Sequence, residues 1–180
     1  IYETAYAKIN LGLDVLGKRS DGYHEVRMVM QSVGLSDAVE IEEGEGLVVE
    51  TDHSGLAGGP DNLAWKAAEL LARCCGKIPN VHIRLNKKIF LAAGLAGGSS
   101  DAAAVMRGLS RLWQLDLTAP ELEKLAAELG SDIPFCITGG TALAEGRGEI
   151  LTELPEAPEL LLVLAKPKLE VATGWVYGNF

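Results

Sequence analysis

Residues 91–106, LAAGLAGGSSDAAAVM, are the stretch of this sequence best suited to hold a ligand by its backbone. Gly94, Gly97 and Gly98 carry no side chain, so a bulky anion could come close to the amides there. The run then turns helical, and the first N–H groups of a helix have no partner inside it. Ala92, Ala93, Gly94, Leu95, Ala96, Gly97, Gly98, Ser99 and Ser100 together read as a phosphate cradle. Ser99 or Ser100 is expected to cap the helix, and either hydroxyl could contact phosphate or a magnesium ion. The competing reading of the same glycines is a tight turn with close helix–sheet packing. Neither familiar phosphate loop fits. No lysine completes G-x-x-x-x-G-K-[ST], and G-x-G-x-x-G is absent. Asp101 reads as a first-turn aspartate that helps fix the loop.

The elements that must position this loop run as strands, then helices, then strands. TAYAKINLGLDVLGK, EVRMVMQSVGL, DAVEIEE and GLVVE are strand-like, separated by the turns RSDGYH and EGEG. PDNLAWKAAELLARCCG reads as a helix with Leu63, Ala67, Leu70, Leu71 and Cys74 on one face, closed by Gly76. VHIRLNKKIF is a strand leading into the glycine loop. Val105, Met106, Leu109, Leu112 and Trp113 give the following helix its apolar face. Thr118 and Glu121 form a capping box for the next helix, which Gly130 ends. IPFCI, GGTALAEG and EILTEL are expected as strands. This order is α+β rather than a regular βαβ array.

Composition narrows the function. A net charge of −9 argues against a nucleic-acid surface, so any phosphate must be held locally by amides and a few lysines. No apolar run reaches the roughly 18 residues that a membrane span needs. The N-terminal stretch lacks the pattern of a signal peptide, and three cysteines without a C-x-x-C pair fit a cytoplasmic protein. Cys74, Cys75 and Cys136 are expected as small buried hydrophobes.

AAGLAGGSSDAA resembles the phosphate loop of the GHMP kinases. AYAKINLGLDVLGKRSDGYHEV, NKKIFLAAGLAGGSSDAAAV, LGSDIPFCITGGTALAEGRGE and KPKLEVATGWVYGNF, in that order, extend the resemblance over nearly the whole chain. They are most similar to the branch that acts on a cytidyl diphosphate sugar alcohol. The resemblance implies an ATP-dependent small-molecule kinase using ATP with Mg2+, and an α+β N-terminal lobe of the kind shared with a small-subunit ribosomal protein. It implies Asp132 as general base and Lys8 as its partner. A lysine beside an aspartate favours the carboxylate and can stabilise charge on an attacking oxygen. On the residues alone, Asp132 could be a turn or cap aspartate and Lys8 a solvated strand lysine. Asn10, two residues from Lys8, lies on the same strand face and could hydrogen-bond a substrate.

The same resemblance makes Tyr23 and His24 contacts to the cytidine, with Tyr23 stacked on the base, though His24 also reads as a plain turn histidine. It places Thr173 and Tyr177 on the substrate pocket, Tyr177 as a second aromatic wall. Asn62 could touch the adenosine part of ATP or simply start a helix. Where the family usually has proline after KKI, this chain has Phe90. Residues 1–154 are expected to form the ATP-binding and catalytic domain, and 155–180 the truncated start of a second lobe. Valine at Gly97 is expected to fill space that phosphates need. Two other readings stay open: a GHMP kinase for mevalonate, homoserine or a similar alcohol, and a nucleotide-binding module without turnover.

Overall fold

A computed structural model describes residues 1–167, so Thr173 and Tyr177 lie outside the described residues. The strands are β1 (Tyr2–Lys18), β2 (His24–Glu43), β3 (Leu47–Thr51), β4 (Val81–Asn86), β5 (Thr141–Gly146) and β6 (Ile150–Glu153). The helices are α1 (Leu63–Cys74), α2 (Gly97–Leu112), α3 (Ala119–Ala126) and α4 (Ile133–Thr138). The two segments expected on either side of Ser36 are one 20-residue strand, β2.

β2 organises the sheet, whose order is β3-β4-β2-β5-β6 with β1 also paired to β2. The C-terminal half of β2 pairs with β4 from Ala38 to Glu43, and its N-terminal half pairs with β5 from Val26 to Gln31. All pairings are antiparallel except β3 with β4. Val39, Ile41, Ile83 and Leu85 carry the sheet side of the larger core, which α1 and α2 cover. A smaller core joins Val26, Met28 and Met30 to Phe135 of α4 and to Ala142 and Ala144 of β5.

α2 explains why so many small residues follow the loop. It packs against α1, α4, β1 and β2, and Ala102, Ala103 and Ala104 are all fully buried. A helix enclosed on nearly every side needs small side chains on nearly every side. The alanines of the helix body are therefore small for packing, whatever the loop before them does.

Four expectations are corrected. IPFCI is not a strand but helix α4; Pro134 sits in its first turn, where the missing N–H costs nothing, and Ile133, Phe135 and Ile137 bury its inner face. Neither Ser99 nor Ser100 caps α2, because the N-cap is Ala96, in left-handed backbone at φ 57°. β4 ends at Asn86 instead of running on to Phe90. Cys74 is exposed and Cys75 and Cys136 are half-buried, so the three are not a uniformly buried set. The caps predicted for α1 and α3 are present: Asn62 Oδ1 accepts from the Ala64 amide at 2.9 Å, and the Thr118 amide donates to Glu121 at 2.8 Å.

Candidate active site

The loop between β4 and α2 is tied down at both ends. Asp37 Oδ1 accepts from the amides of Lys88 and Ile89, and the Lys87 amide donates to Asp52 Oδ1 at 2.9 Å. On the helix side, Ser100 Oγ donates to Tyr6 O at 2.6 Å and is buried. Its hydroxyl is thus spent on the fold, whereas Ser99 faces the cavity described below. The Lys8 amide donates to Leu95 O at 3.1 Å, which fixes the loop against β1. The first intrahelical bond of α2 runs from the Ser100 amide to Ala96 O at 2.8 Å, so the amides of Gly97, Gly98 and Ser99 precede it.

The glycines divide by role. At Gly97 an added Cβ would sit 3.0 Å from Ile89 Cγ2, so this position is small because the helix start presses on Ile89. At Gly94, φ is +71°, and an added Cβ would meet nothing within 4 Å. Gly94 is the glycine on the open side of the loop. At Gly97 the space a side chain would need is taken by Ile89, and Gly94 is the loop glycine that lines the cavity described below.

Lys8 reaches the site through an irregular stretch of strand. The β1–β2 register shifts between Tyr6 and Lys8, and Ala7 and Lys8 are buried in succession, which breaks the ordinary in–out alternation. Lys8 Nζ lies 3.5 Å from Asp132 Oδ2 and 3.4 Å from Asn10 Oδ1. The Lys8 side chain is 7% exposed and that of Asp132 33%, so the lysine is enclosed and the carboxylate opens outward. Asp132 holds the N-cap position of α4 yet makes no capping hydrogen bond. Its carboxylate is left for other use.

These side chains share one cavity of about 670 Å3. Lys8, Asn10, Tyr23, His24, Gly94, Ser99 and Asp132 all line it. Two cationic residues on its wall, Lys18 and Arg147, were not anticipated. Arg147 lies between Gly146 and Gly148, both at positive φ, in the β5–β6 turn, and its guanidinium stands 4.8 Å from the Tyr23 ring centroid. A G-R-G hairpin was the sequence signal for it. The cavity therefore has three cationic side chains against one carboxylate, in a chain of net charge −9. Cations gathered on one wall suit an anion, although Arg147 also pairs with Glu149 at 3.4 Å. Asn62 is not among the lining residues; its Nδ2 donates to Ala57 O at 2.8 Å, so both ends of its amide serve the start of α1.

Behind the loop, the Lys87 ammonium is ion-paired with Asp37 and Asp101, and all three side chains are at most 1% exposed. Asp101 does more than occupy a helix start. Burial pushes its carboxyl up to about 7, against the opposing pull of Lys87. The folded state then holds a proton that the unfolded chain releases at ordinary carboxylate pH. The stability this contributes is present below about pH 4 and is lost as pH rises through about 7. Asp101→Asn should therefore flatten the decline of the melting temperature between pH 4 and 8. An unaltered decline would place its origin in another group.

Gly94 and Ser99 of the glycine loop line one cavity with a carboxylate that has a cation beside it, a grouping that suits phosphoryl transfer. Residues 62–140 match the family model of the GHMP kinases N terminal domain. The chain is 51% identical over 176 residues to the 4-diphosphocytidyl-2-C-methyl-D-erythritol kinase of Acetivibrio thermocellus, covering 97% of this chain and 62% of that protein. It is 53% identical over 178 residues to the kinase of the same name from Synechococcus sp., covering 98% and 58%. The crystal structure of a 4-(cytidine 5'-diphospho)-2C-methyl-D-erythritol kinase superposes with a TM-score of 0.79 at 36% identity, over 99% of this chain and 63% of that one. A mevalonate kinase shares the fold at 15% identity and a TM-score of 0.65, over 86% and 56% of the two chains. Over residues 62–140 the chain carries the N-terminal domain of the GHMP kinases. It spans about three-fifths of the length of the curated relatives it matches. Among the described residues no helix is long and apolar enough to cross a membrane.

Proposed function

We propose that the protein transfers the γ-phosphoryl group of ATP to the 2-hydroxyl of 4-diphosphocytidyl-2-C-methyl-D-erythritol. The observation that carries this reading is the Lys8–Asp132 pair, set in one cavity between Gly94 and Ser99 of the loop and the Tyr23–His24 turn. The relatives that match along nearly the whole chain bear the name of that kinase. Residues 1–154 serve as the ATP-binding and catalytic domain, and the chain from 155 begins a second lobe.

In this reading the amides of Gly97, Gly98 and Ser99 hold the ATP phosphates, where open backbone at Gly94 leaves them room. Ser99, which lines the cavity, would be the loop hydroxyl to hold a magnesium ion carried on the nucleotide, and that ion would supply charge neutralisation at the phosphates. Asp132 accepts the proton of the substrate hydroxyl as its oxygen attacks the γ-phosphorus and the bond to the ADP oxygen breaks. Lys8 stabilises charge on the attacking oxygen. Lys18 and Arg147 face the diphosphate of the acceptor, and Tyr23 stacks on its base.

An ATP-consumption assay with a panel of alcohols tests the assignment. Turnover with the cytidyl substrate, and none with mevalonate or homoserine, is expected. Preference for either of those would overturn it. Base recognition is tested separately. Base–aromatic stacking is worth about 1–3 kcal/mol, so Tyr23→Ala should weaken the cytidyl ligand roughly 5- to 150-fold and leave ATP unchanged. Stacking tolerates any base, so His24→Ala should narrow the preference for cytidine over uridine analogues. Calorimetry that finds ATP weakened by Tyr23→Ala, and the cytidyl ligand untouched, assigns the aromatic to adenine instead.

A further inference from the structure

We infer that the buried Lys87–Asp37–Asp101 cluster is a clamp that closes the two ends of the glycine loop on each other and so keeps its amides aimed at the nucleotide. The inference rests on the reading of that loop as the ATP phosphate site. Three elements meet in the cluster: Asp37 comes from β2, Lys87 from the end of β4, and Asp101 from the first turns of α2. The loop leaves the sheet at Lys87–Ile89 and enters the helix at Gly97–Asp101. One ammonium group bonds to carboxylates on both sides of that gap. The second oxygen of Asp37 holds the amides of Lys88 and Ile89, which are the first residues of the loop.

What the clamp restrains is a strained segment. Between its two ends, Ala92, Gly94 and Ala96 all have positive φ, at 50°, 71° and 57°. Two of these residues are alanines, for which left-handed backbone is unfavourable, and such conformations persist only where the surroundings over-determine them. Released at either end, the loop would relax and its amides would turn away from the phosphates. Burying an ammonium between two carboxyl groups is an expensive way to fill a core, since apolar side chains of similar volume commonly do as well or better. Asp101 shows the cost: its Oδ1 is buried without a hydrogen-bond partner among the described residues. The ion cluster is retained for geometry.

Asp101→Ala cuts the link from Lys87 to α2 and leaves the Lys87–Asp37 pair intact, so the fold should survive. Asp101→Asn keeps an oxygen for the ammonium. In the whole protein, calorimetry with a non-hydrolysable ATP analogue and with the cytidyl ligand should show the analogue about tenfold weaker in Asp101→Ala, with the cytidyl ligand within twofold. Asp101→Asn should restore analogue affinity to within threefold of the parent. A folded Asp101→Ala protein that binds the analogue normally overturns the clamp. Equal weakening of both ligands also overturns it, because that is loss of general structure. Should Asp101→Ala fail to fold, Asp101→Ser carries the same test. Gly94→Val separates the two readings: if it abolishes analogue binding where Asp101→Ala has no effect, only the clamp fails. If neither variant changes binding, the loop is not the ATP site.

Discussion

Asp132→Asn is expected to lower kcat by roughly 10²–10⁴-fold, the usual range for a lost general base, while ATP affinity stays within about twofold. The amide keeps the shape of the carboxylate and cannot take the alcohol proton. The structural alternative, that Asp132 is merely a helix cap, makes a different prediction, and the geometry favours catalysis. As N-cap of α4, Asp132 forms no side-chain hydrogen bond to the helix amides. A charge at a short helix end is worth only about 0.3–1 kcal/mol, so neutralising it should move the melting temperature little. Its ionic partner is Lys8, 3.5 Å away and nearly enclosed. A variant with near-normal turnover would remove Asp132 from the chemistry. One that lost both turnover and fold would restore the cap reading.

How far the site could be read in advance differs by residue. Lys8 and Asn10 were legible as a pair because alternation along a strand survives between them: Lys8 opposes Ser32, Ile9 opposes Gln31 and Asn10 opposes Met30 without interruption. The register shift just before Lys8 was not legible. It depends on how β2 pairs across, and no local pattern records it. α1 and α3 were marked by their own caps, Asn62 and the Thr118–Glu121 pair. α4 was hidden because Ile133, Phe135 and Ile137 are strand-forming types. Burial against α2 and the second core outweighs that preference in a six-residue helix. Ser99 and Ser100 looked like caps, but the left-handed turn at Ala96 starts the helix earlier and carries both serines into the first turn.

Charged residues failed for another reason. Lys87 and Asp37 are 50 residues apart, and neither belongs to a spacing pattern, yet they meet in full burial with Asp101. Lys18 and Arg147 likewise reach one cavity from opposite halves of the chain. Only the long β2 strand, which joins the β4 side of the sheet to the β5 side, brings such pairs together. The strand order, unlike the elements themselves, could not be read from local periodicity.

Gly94→Val is expected to abolish ATP binding at working concentrations and to leave most of the fold intact. Two independent costs act at this position. The backbone is left-handed at φ +71°, which is unfavourable for any L side chain and worst for a β-branched one. The side chain would also point into open space on the cavity wall, where the proposed site would hold the phosphates. With no protein atom within 4 Å of the added Cβ, the core does not resist the substitution, so the loss should appear in binding more than in melting temperature. Gly97 offers the contrast. There the new Cβ presses on Ile89 at 3.0 Å, and valine should lower stability first and ATP affinity only as a consequence. Gly94→Ala separates strain from occlusion, since alanine carries the left-handed penalty with much less bulk. Binding lost progressively from glycine to alanine to valine, with the strain-related fall in melting temperature already present in alanine, would identify the loop as the phosphate cradle. A folded Gly94→Val protein with the parent's ATP dissociation constant would reduce the loop to a packing turn and move the nucleotide elsewhere.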